Sequence, residues 1–192
     1  SCSASGAWSG SKGTSGSESI TIGVGGSNSF SLSCSATGAN TGSASTSVNG
    51  LRYFDGKVFD GYIRGAEVFV DTNDNLTLDA NEASVSTDNV GSFTKLLFGN
   101  GTLVSKGGFD LDTGADLANL TLVHKLEGYE SSKLASPFTT LIAYMSNPVN
   151  INAALGIDAS INLLTIDPIP NLGEGIYDQM YEKGNQLTVI AL

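Results

Sequence analysis

Residues 71–82 carry oxygen-bearing side chains at a spacing that suits a loop closed around a cation. Such side chains stand at positions 1, 3, 5, 9 and 12 of this stretch, and position 7 offers its backbone carbonyl. In order, these residues are Asp71, Asn73, Asn75, Thr77, Asp79 and Glu82. This is the spacing of a calcium loop, in which the final glutamate binds through both carboxylate oxygens. The sequence therefore predicts a Ca²⁺ site here.

One position departs from the usual calcium-loop pattern. The sixth residue of such loops is glycine, because the chain turns sharply there, whereas this loop has Leu76. Strand-like sequence also lies on both sides of the loop. We therefore expect a loop that connects strands, and not a helix–loop–helix unit. The alternative is a solvated polar turn between two strands.

Charge and hydrophobicity exclude two classes of partner. The net charge is −10, and the nine basic residues form no cluster, which argues against nucleic acid. No run approaches the ~20 apolar residues that cross a membrane, so we predict no membrane insertion. The first residues, Ser-Cys-Ser, do not resemble a signal peptide and suggest a processed or excised piece of a longer protein.

Cys2 and Cys34 are the only cysteines. A lone pair in a chain rich in Ser, Gly and Thr suggests an oxidising, extracellular compartment. If the two cysteines pair, the closed loop would contribute roughly 4 kcal/mol in the chain-entropy model. The alternative is a pair of buried free thiols.

Residues 1–50 form a first region that differs in composition from the rest. Ser, Gly and Thr dominate it, which is typical of flexible linkers. However, residues 19–22 and 29–34 alternate apolar and small polar side chains, and this period of two predicts half-buried strands.

The same region resembles the later half of a bacterial immunoglobulin-like repeat. The resemblance rests on residues 2–10, which include Trp8, on the Ser-Gly-Ser turn at 15–17, and on residues 30–34. It implies a disulfide with Trp8 packed against it, in a half-sandwich that lacks the strands expected before Cys2. Such a sheet would have to pack on the following domain or be completed by a strand of another chain.

Residues 51–192 form the second predicted domain, with a β-sandwich over about 51–125 and a helical part over about 136–192. Alternating or apolar runs between glycine-containing turns predict the strands. These runs cover residues 57–59, 66–70, 84–87, 92–94, 103–104 and 120–124.

Residues 60–93 resemble the Sdr-type B repeats of bacterial surface proteins, which are calcium-stabilised sandwiches of transthyretin-like topology. The likeness covers a strand that ends at Asp71, the acidic loop and a Thr-Asp-x-x-Gly-x-Phe turn. It implies that Asp71, Asn73, Asn75, Asp79 and Glu82 bind the ion. It further suggests that Asp60 and Asp88 share a second ion, the alternatives being an Asx turn at Asp88 and a plain turn at Asp60.

The last third of the chain is predicted to be helical. Ser136 is a candidate N-cap, with Pro137 at the first helical position of a helix over 136–145. Residues 151–155 form a short helix that Gly156 ends, and residues 175–192 form a final helix with an apolar end. The motifs at 107–114 (Gly-Gly-x-Asp-x-x-Thr-Gly), 137–141 (Pro-Phe-Thr-Thr-Leu) and 153–158 (Ala-Ala-Leu-Gly-Ile-Asp) follow in an order that resembles domains of giant RTX-type adhesins. Separately, Asp110 and Asp112 place two carboxylates at alternate positions of a Gly-flanked loop, which would hold a further ion or form a solvated turn.

We find no pattern of an enzyme. His124 is the only histidine, and no Gly-x-Ser-x-Gly elbow lies near it.

The strand and helix patterns together predict a fold that is mainly β with a C-terminal α-helical part: an immunoglobulin-like half-sandwich followed by a calcium-stabilised sandwich.

The predicted function is a module of an extracellular bacterial adhesin or fibre, with other surface domains or subunits as partners. Two alternatives are a subunit that exchanges strands in a filament and a module that binds a peptide or glycan. The aromatic candidates for such binding are Tyr53, Phe54, Tyr62 and Tyr129.

Overall fold

A computed structural model describes residues 1–23, 25–129, 132–145 and 151–191. The chain divides into two compact units, Ser1–Arg52 and Tyr53–Leu192. Strands dominate both units, and helices occur only after residue 136 in the described ranges, so the predicted mainly β fold with a C-terminal helical part is confirmed. None of the described helices is long and apolar enough to cross a membrane.

The first unit is a single antiparallel sheet. Its strands, in the spatial order β2-β1-β3-β4, are β1 (Cys2–Gly6), β2 (Gly10–Lys12), β3 (Ser27–Cys34) and β4 (Gly42–Asn49). Cys2 lies directly opposite Cys34 in the β1–β3 register, and the two form a disulfide. The predicted pairing is thus confirmed, and it joins neighbouring strands of one sheet.

One strand predicted for this unit is absent from the described residues, and one strand that forms was not predicted. Ile20 and Ile22 are half-buried, as their alternation indicates, yet residues 19–22 pair with no strand in the described chain. An extended segment can bury alternate side chains on a sheet without joining its ladder, so periodicity alone does not establish a strand. Conversely, β4 forms although Val48 is its only large apolar residue.

The second unit contains three sheets. Their strands, in chain order, are β5 (Tyr53–Val58), β6 (Ile63–Arg64), β7 (Glu67–Asp71), β8 (Ser84–Ser86), β9 (Ser92–Leu97), β10 (Thr102–Lys106), β11 (Phe109–Asp110), β12 (Thr121–Lys125) and β13 (Ser132–Ala135). The spatial orders are β12-β10-β7-β8, β13-β5-β9 and β11-β6. Among the strand pairs of the described residues, only β13 and β5 run parallel. The sheets extend to β13, which lies past the predicted sandwich limit near residue 125.

The main core lies between these sheets. It includes Phe54, Val58, Ile63, Val68, Val70, Phe93, Leu96 and Leu103. The opposite face of the β7–β10–β12 sheet is also buried, through Phe69, Val104 and Val123. Burial on both faces explains why β7 is a continuous apolar run and not an alternating one.

Three helices follow: α1 (Pro137–Tyr144), α2 (Ile151–Leu155) and α3 (Ile176–Ala191), with a short 3₁₀ turn at Ile169–Asn171. Ser136 is the N-cap of α1, and it exchanges hydrogen bonds with Thr139 in a capping box. The helices enclose a second core with Phe138 and Met180 fully buried. Leu187 packs against that core. The side chains of residues 189–192 lie outside the described part of the chain, so burial of the apolar end of the last helix stays a prediction.

Candidate metal site

The predicted calcium loop connects the end of β7 to the start of β8. Asp71, the last residue of β7, is fully buried. Its Oδ1 accepts a hydrogen bond from the Asn73 amide at 3.1 Å, and its Oδ2 accepts one from the Leu76 amide at 2.6 Å. The first residue of the loop therefore folds the next five residues around its own carboxylate.

The two asparagines continue this inward folding. The side-chain oxygen of Asn73 accepts from the Asn75 amide at 3.2 Å, and that of Asn75 accepts from the Thr77 amide at 2.7 Å. Their Nδ2 groups both donate to Asp79 Oδ2, at 2.7 and 3.0 Å. These contacts bring positions 3, 5 and 9 of the loop together.

Glu82 closes the loop. Its Oε1 accepts from the backbone amide and the hydroxyl of Thr72, at 2.7 and 2.9 Å, and its Oε2 accepts from the Asp79 amide at 3.2 Å. These hydrogen bonds, led by the one from the Thr72 amide, lower the pKa of Glu82. The residue predicted to bind through both oxygens thus joins the start of the loop to its end.

Leu76 occupies the position where calcium loops have glycine, and it adopts the left-handed conformation that glycine favours, with φ of 56°. Its side chain packs, together with Leu78, on the buried cluster of Phe69, Val104 and Val123. Apolar burial offsets the backbone cost, so the loop keeps its sharp turn without glycine.

Asp74 also has positive φ, but it points away from the loop centre and bonds Thr102 Oγ1 and Lys125 Nζ, at 2.8 and 2.7 Å. It therefore fixes the loop to β10 and β12. Sequence analysis did not assign this role, because the spacing rule concerns only positions that bind metal.

The donor set fits calcium in chemical type. It consists of carboxylate and amide oxygens, which a hard cation prefers, and each amide oxygen retains a lone pair beyond the hydrogen bond that it accepts. As folded, these groups bond to one another. No group of three or more His, Cys, Asp or Glu side chains in the described ranges lies at metal-holding distance. Asp71, Asp79 and Glu82 therefore do not form such a group in the folded chain, and the calcium site stays a prediction.

The proposed partners of a second ion, Asp60 and Asp88, have different surroundings. Asp88 Oδ1 accepts from the amides of Val90 and Ser92, both at 2.9 Å, which is an Asx-type turn. Asp60 Oδ1 is buried and has no hydrogen-bond partner in the described chain. A second ion shared by these two residues stays a prediction.

Burial raises the pKa of Asp60 to about 6, with a hydrogen bond from Thr188 opposing the shift and the charge of Asp110 adding to it. Asp110 is thus a neighbour that sequence analysis did not connect with Asp60. The structure shows this approach at Gly61, which has φ of +75° and where an added Cβ would lie 2.5 Å from Asp110 Oδ1. The glycine permits this close approach.

The turn at Asp110 is closed by hydrogen bonds. Asp110 is buried and accepts from the Asp112 amide at 2.8 Å and from the Thr113 hydroxyl at 2.6 Å. Asp112 accepts from the Tyr181 hydroxyl of α3. Burial, and then this bond, raise the pKa of Tyr181 to about 12. The turn therefore fixes α3 to β11, and the further ion considered for it stays a prediction.

The remaining candidates have structural contacts. His124 is buried, and its Nδ1 lies 2.6 Å from the Leu134 carbonyl, which links β12 to β13. Among the aromatic candidates, Phe54 is in the core and Tyr62 donates to Asp167 at 3.0 Å. Tyr53 and Tyr129 are the exposed pair.

No protein-family model matches the chain, and a search of curated proteins finds no match. Among solved structures, the chain is similar to BcpA, the major pilin subunit of Bacillus cereus, and to a single-residue variant of it. Identities are 13% and 14%, and TM-scores are 0.30 and 0.32. The match covers 59% of this chain and 38% of each pilin chain. Likeness at this level assigns neither a family nor a function.

Proposed function

We propose that this chain is a calcium-stabilised extracellular module of a bacterial surface adhesin or fibre. The observation that carries the proposal is the folded loop at residues 71–82, in which the carboxylate of the fully buried Asp71 accepts hydrogen bonds from the backbone amides of Asn73 and Leu76. The disulfide between Cys2 and Cys34 supports an oxidising environment. Millimolar calcium, which keeps weak loops saturated, is available in the same environment.

The proposed role of the metal is structural. Bound calcium would draw the loop carboxylates together and neutralise their charge. Asp71, Asp79 and Glu82 would supply the charge, with the oxygens of the two asparagines and the Thr77 carbonyl completing the set. A ligand that binds only the folded loop stabilises it by mass action, by about 2.7 kcal/mol at a hundredfold excess over Kd.

The test is thermal unfolding with calcium and with a chelator. Calcium should raise the melting temperature of the second unit by about 5–10 °C. Glu82→Gln should remove most of this shift, because it replaces the bidentate carboxylate by an amide of equal size. Glu174→Gln, at an exposed carboxylate outside the loop, is the matched control and should retain the shift.

A wild-type melting temperature that does not change between calcium and chelator would reject the metal claim. Adhesion itself requires a second assay, which compares binding of the chain to peptide and glycan arrays and to bacterial surface proteins. Binding that depends on calcium would connect the loop to a partner, and binding equal in chelator would separate the two.

A further inference from the structure

The first unit ends on one side with an open strand edge, that of β4. All eight residues of β4 are exposed, so no described part of the first unit covers this edge. We infer that β4 is a pairing site for a second copy of this chain, which adds antiparallel to form a symmetric dimer. This inference does not depend on the calcium proposal.

The register shows which backbone groups are unpaired. Ala7 donates its amide to the Ser29 carbonyl and Ser35 donates to Ser1, so odd-numbered residues of β3 bond to β1. Even-numbered residues of β3 therefore face β4, where their partners are also even-numbered. The bond from the Gly50 amide to Gly26 has the same parity. Consequently, Ser43, Ser45 and Ser47 direct their N–H and C=O groups outward.

The sequence of this edge is complementary to itself. Residues 43–47 read Ser-Ala-Ser-Thr-Ser, which is palindromic except for Ala44 and Thr46. A two-fold axis at Ser45 places Ser45 opposite its own copy, and Ser43 opposite the Ser47 of the second copy. These are three hydrogen-bonded pairs, which would satisfy all six outward groups. The same axis places the exposed Val48 opposite Gly42, where no side chain competes for space.

Charge favours a second copy on this unit. Residues 1–52 contain only three charged side chains, Lys12, Glu18 and Arg52, and β4 contains none. Like-charge repulsion, which commonly protects edge strands, is therefore absent at β4. The large acidic excess of the chain lies entirely after residue 52.

The opposite edge is different, and this limits assembly to two copies. It is formed by β2, which has three residues and carries Lys12. Lys12 forms an ion pair with Glu18 at 2.7 Å, and a short charged edge is a poor pairing template. One open edge in the described part of the first unit gives a closed dimer through this unit, whereas a filament built through it would need two.

The experiment measures mass by sedimentation over a wide concentration range, with chelator present so that a failed calcium proposal cannot affect it. The wild-type chain should shift from monomer to twice the monomer mass as concentration rises. Ser45→Lys places two like charges together at the two-fold axis and should weaken dimerisation about tenfold or more. Ser11→Lys makes the same change at an exposed residue of β2 and should leave dimerisation unchanged.

Cysteine cross-linking keeps the inference testable if the lysine variant unfolds. Ser45→Cys places the two sulfur-bearing residues in a hydrogen-bonded pair about 5.5 Å apart at Cα, within disulfide range. It should form a covalent dimer under mild oxidation about tenfold faster than Ser11→Cys. A wild-type chain that stays monomeric at every concentration would overturn the inference. So would a dimer that Ser11→Lys and Ser45→Lys weaken equally, or a folded Ser45→Cys variant that does not cross-link.

Discussion

The two units of this chain are stabilised in different ways. In the first, the buried hydrophobic residues in the described part are Cys2 and Ala4, and the disulfide joins the two central strands of a sheet of small side chains. In the second, large side chains such as Phe54, Phe69 and Phe138 are buried in well-packed clusters. A covalent link thus replaces apolar burial where the sequence provides little of it. It follows that each unit can be disrupted separately.

The largest effect is expected from removing the disulfide. Cys2→Ser with Cys34→Ser opens a link between residues 32 apart in sequence, which costs about 4 kcal/mol. The first unit has too little buried apolar surface to offset this loss, so it should unfold. Amide hydrogen exchange, read separately for the two units, should show loss of protection in β1–β4 only. Equal protection of β3 in the variant and the wild type would contradict this account.

The reciprocal change is Phe69→Ala in the second unit. The side chain is fully buried in the cluster under the calcium loop, so its loss should cost about 3–5 kcal/mol. Denaturant unfolding should show a lower midpoint for the second unit and an unchanged one for the first. Phe109→Ala, at a phenylalanine that is 45% exposed, is the control and should cost much less. Loss of both units together would show that their stabilities are coupled.

A smaller and pH-dependent effect is expected at Asp60. Its pKa in the folded chain is about 6, against about 3.9 for an unfolded aspartate, so the folded state binds more protons between these values. The free energy of unfolding should therefore fall as pH rises from about 4 to about 6, and remain lower above that range. With calcium chelated, Asp60→Asn should raise the free energy of unfolding by about 1–2 kcal/mol at neutral pH and should change it little at pH 4.

Denaturant titrations across this pH range measure the effect on the second unit. Asp116→Asn removes an exposed turn carboxylate and serves as the control. A variant at Asp60 that retains the full wild-type decline between pH 4 and 6 would show that another group causes it.

The smallest effect concerns the turn at Leu76. Leu76→Ala keeps a side chain at positive φ but loses the apolar packing, whereas Leu76→Gly loses the packing and also relieves the backbone. The glycine variant should therefore be more stable than the alanine variant by about 1 kcal/mol. Chemical denaturation of both variants measures the difference. An alanine variant equal to or more stable than the glycine variant would show that the turn carries no backbone cost.

Sequence predicted those elements whose signals are local. The capped helix at Ser136 and the apolar strand before Asp71 follow from a few adjacent residues, as does the Asx turn at Asp88, which was the alternative to a metal ligand there. Strand β4 has no such signal, because it is held by backbone bonds to β3 and buries no large side chain.

The candidate site divides in the same way. The oxygen positions of the loop follow from spacing, and three of these oxygens accept hydrogen bonds from the backbone amide two residues further on. That they bind a cation stays a prediction. The proximity of Asp60 to Asp110 is a tertiary relation between distant segments. A single sequence gives no measure of such distances. The sequence analysis therefore pairs Asp60, whose pKa is raised, with Asp88 and not with Asp110.

The parallel pairing of β5 with β13 has a consequence for the order of folding. Asp55, near the start of the second unit, is paired with Ser132, and every strand from β6 to β12 is synthesised between them. Closing such a long loop is entropically costly, and topologies with distant contacts fold slowly. During synthesis, β5 therefore has a neighbour only on its β9 side until the region around residue 135 has left the ribosome. A chain shortened before β13 would leave β5 as a bare edge, and we expect such a fragment to aggregate.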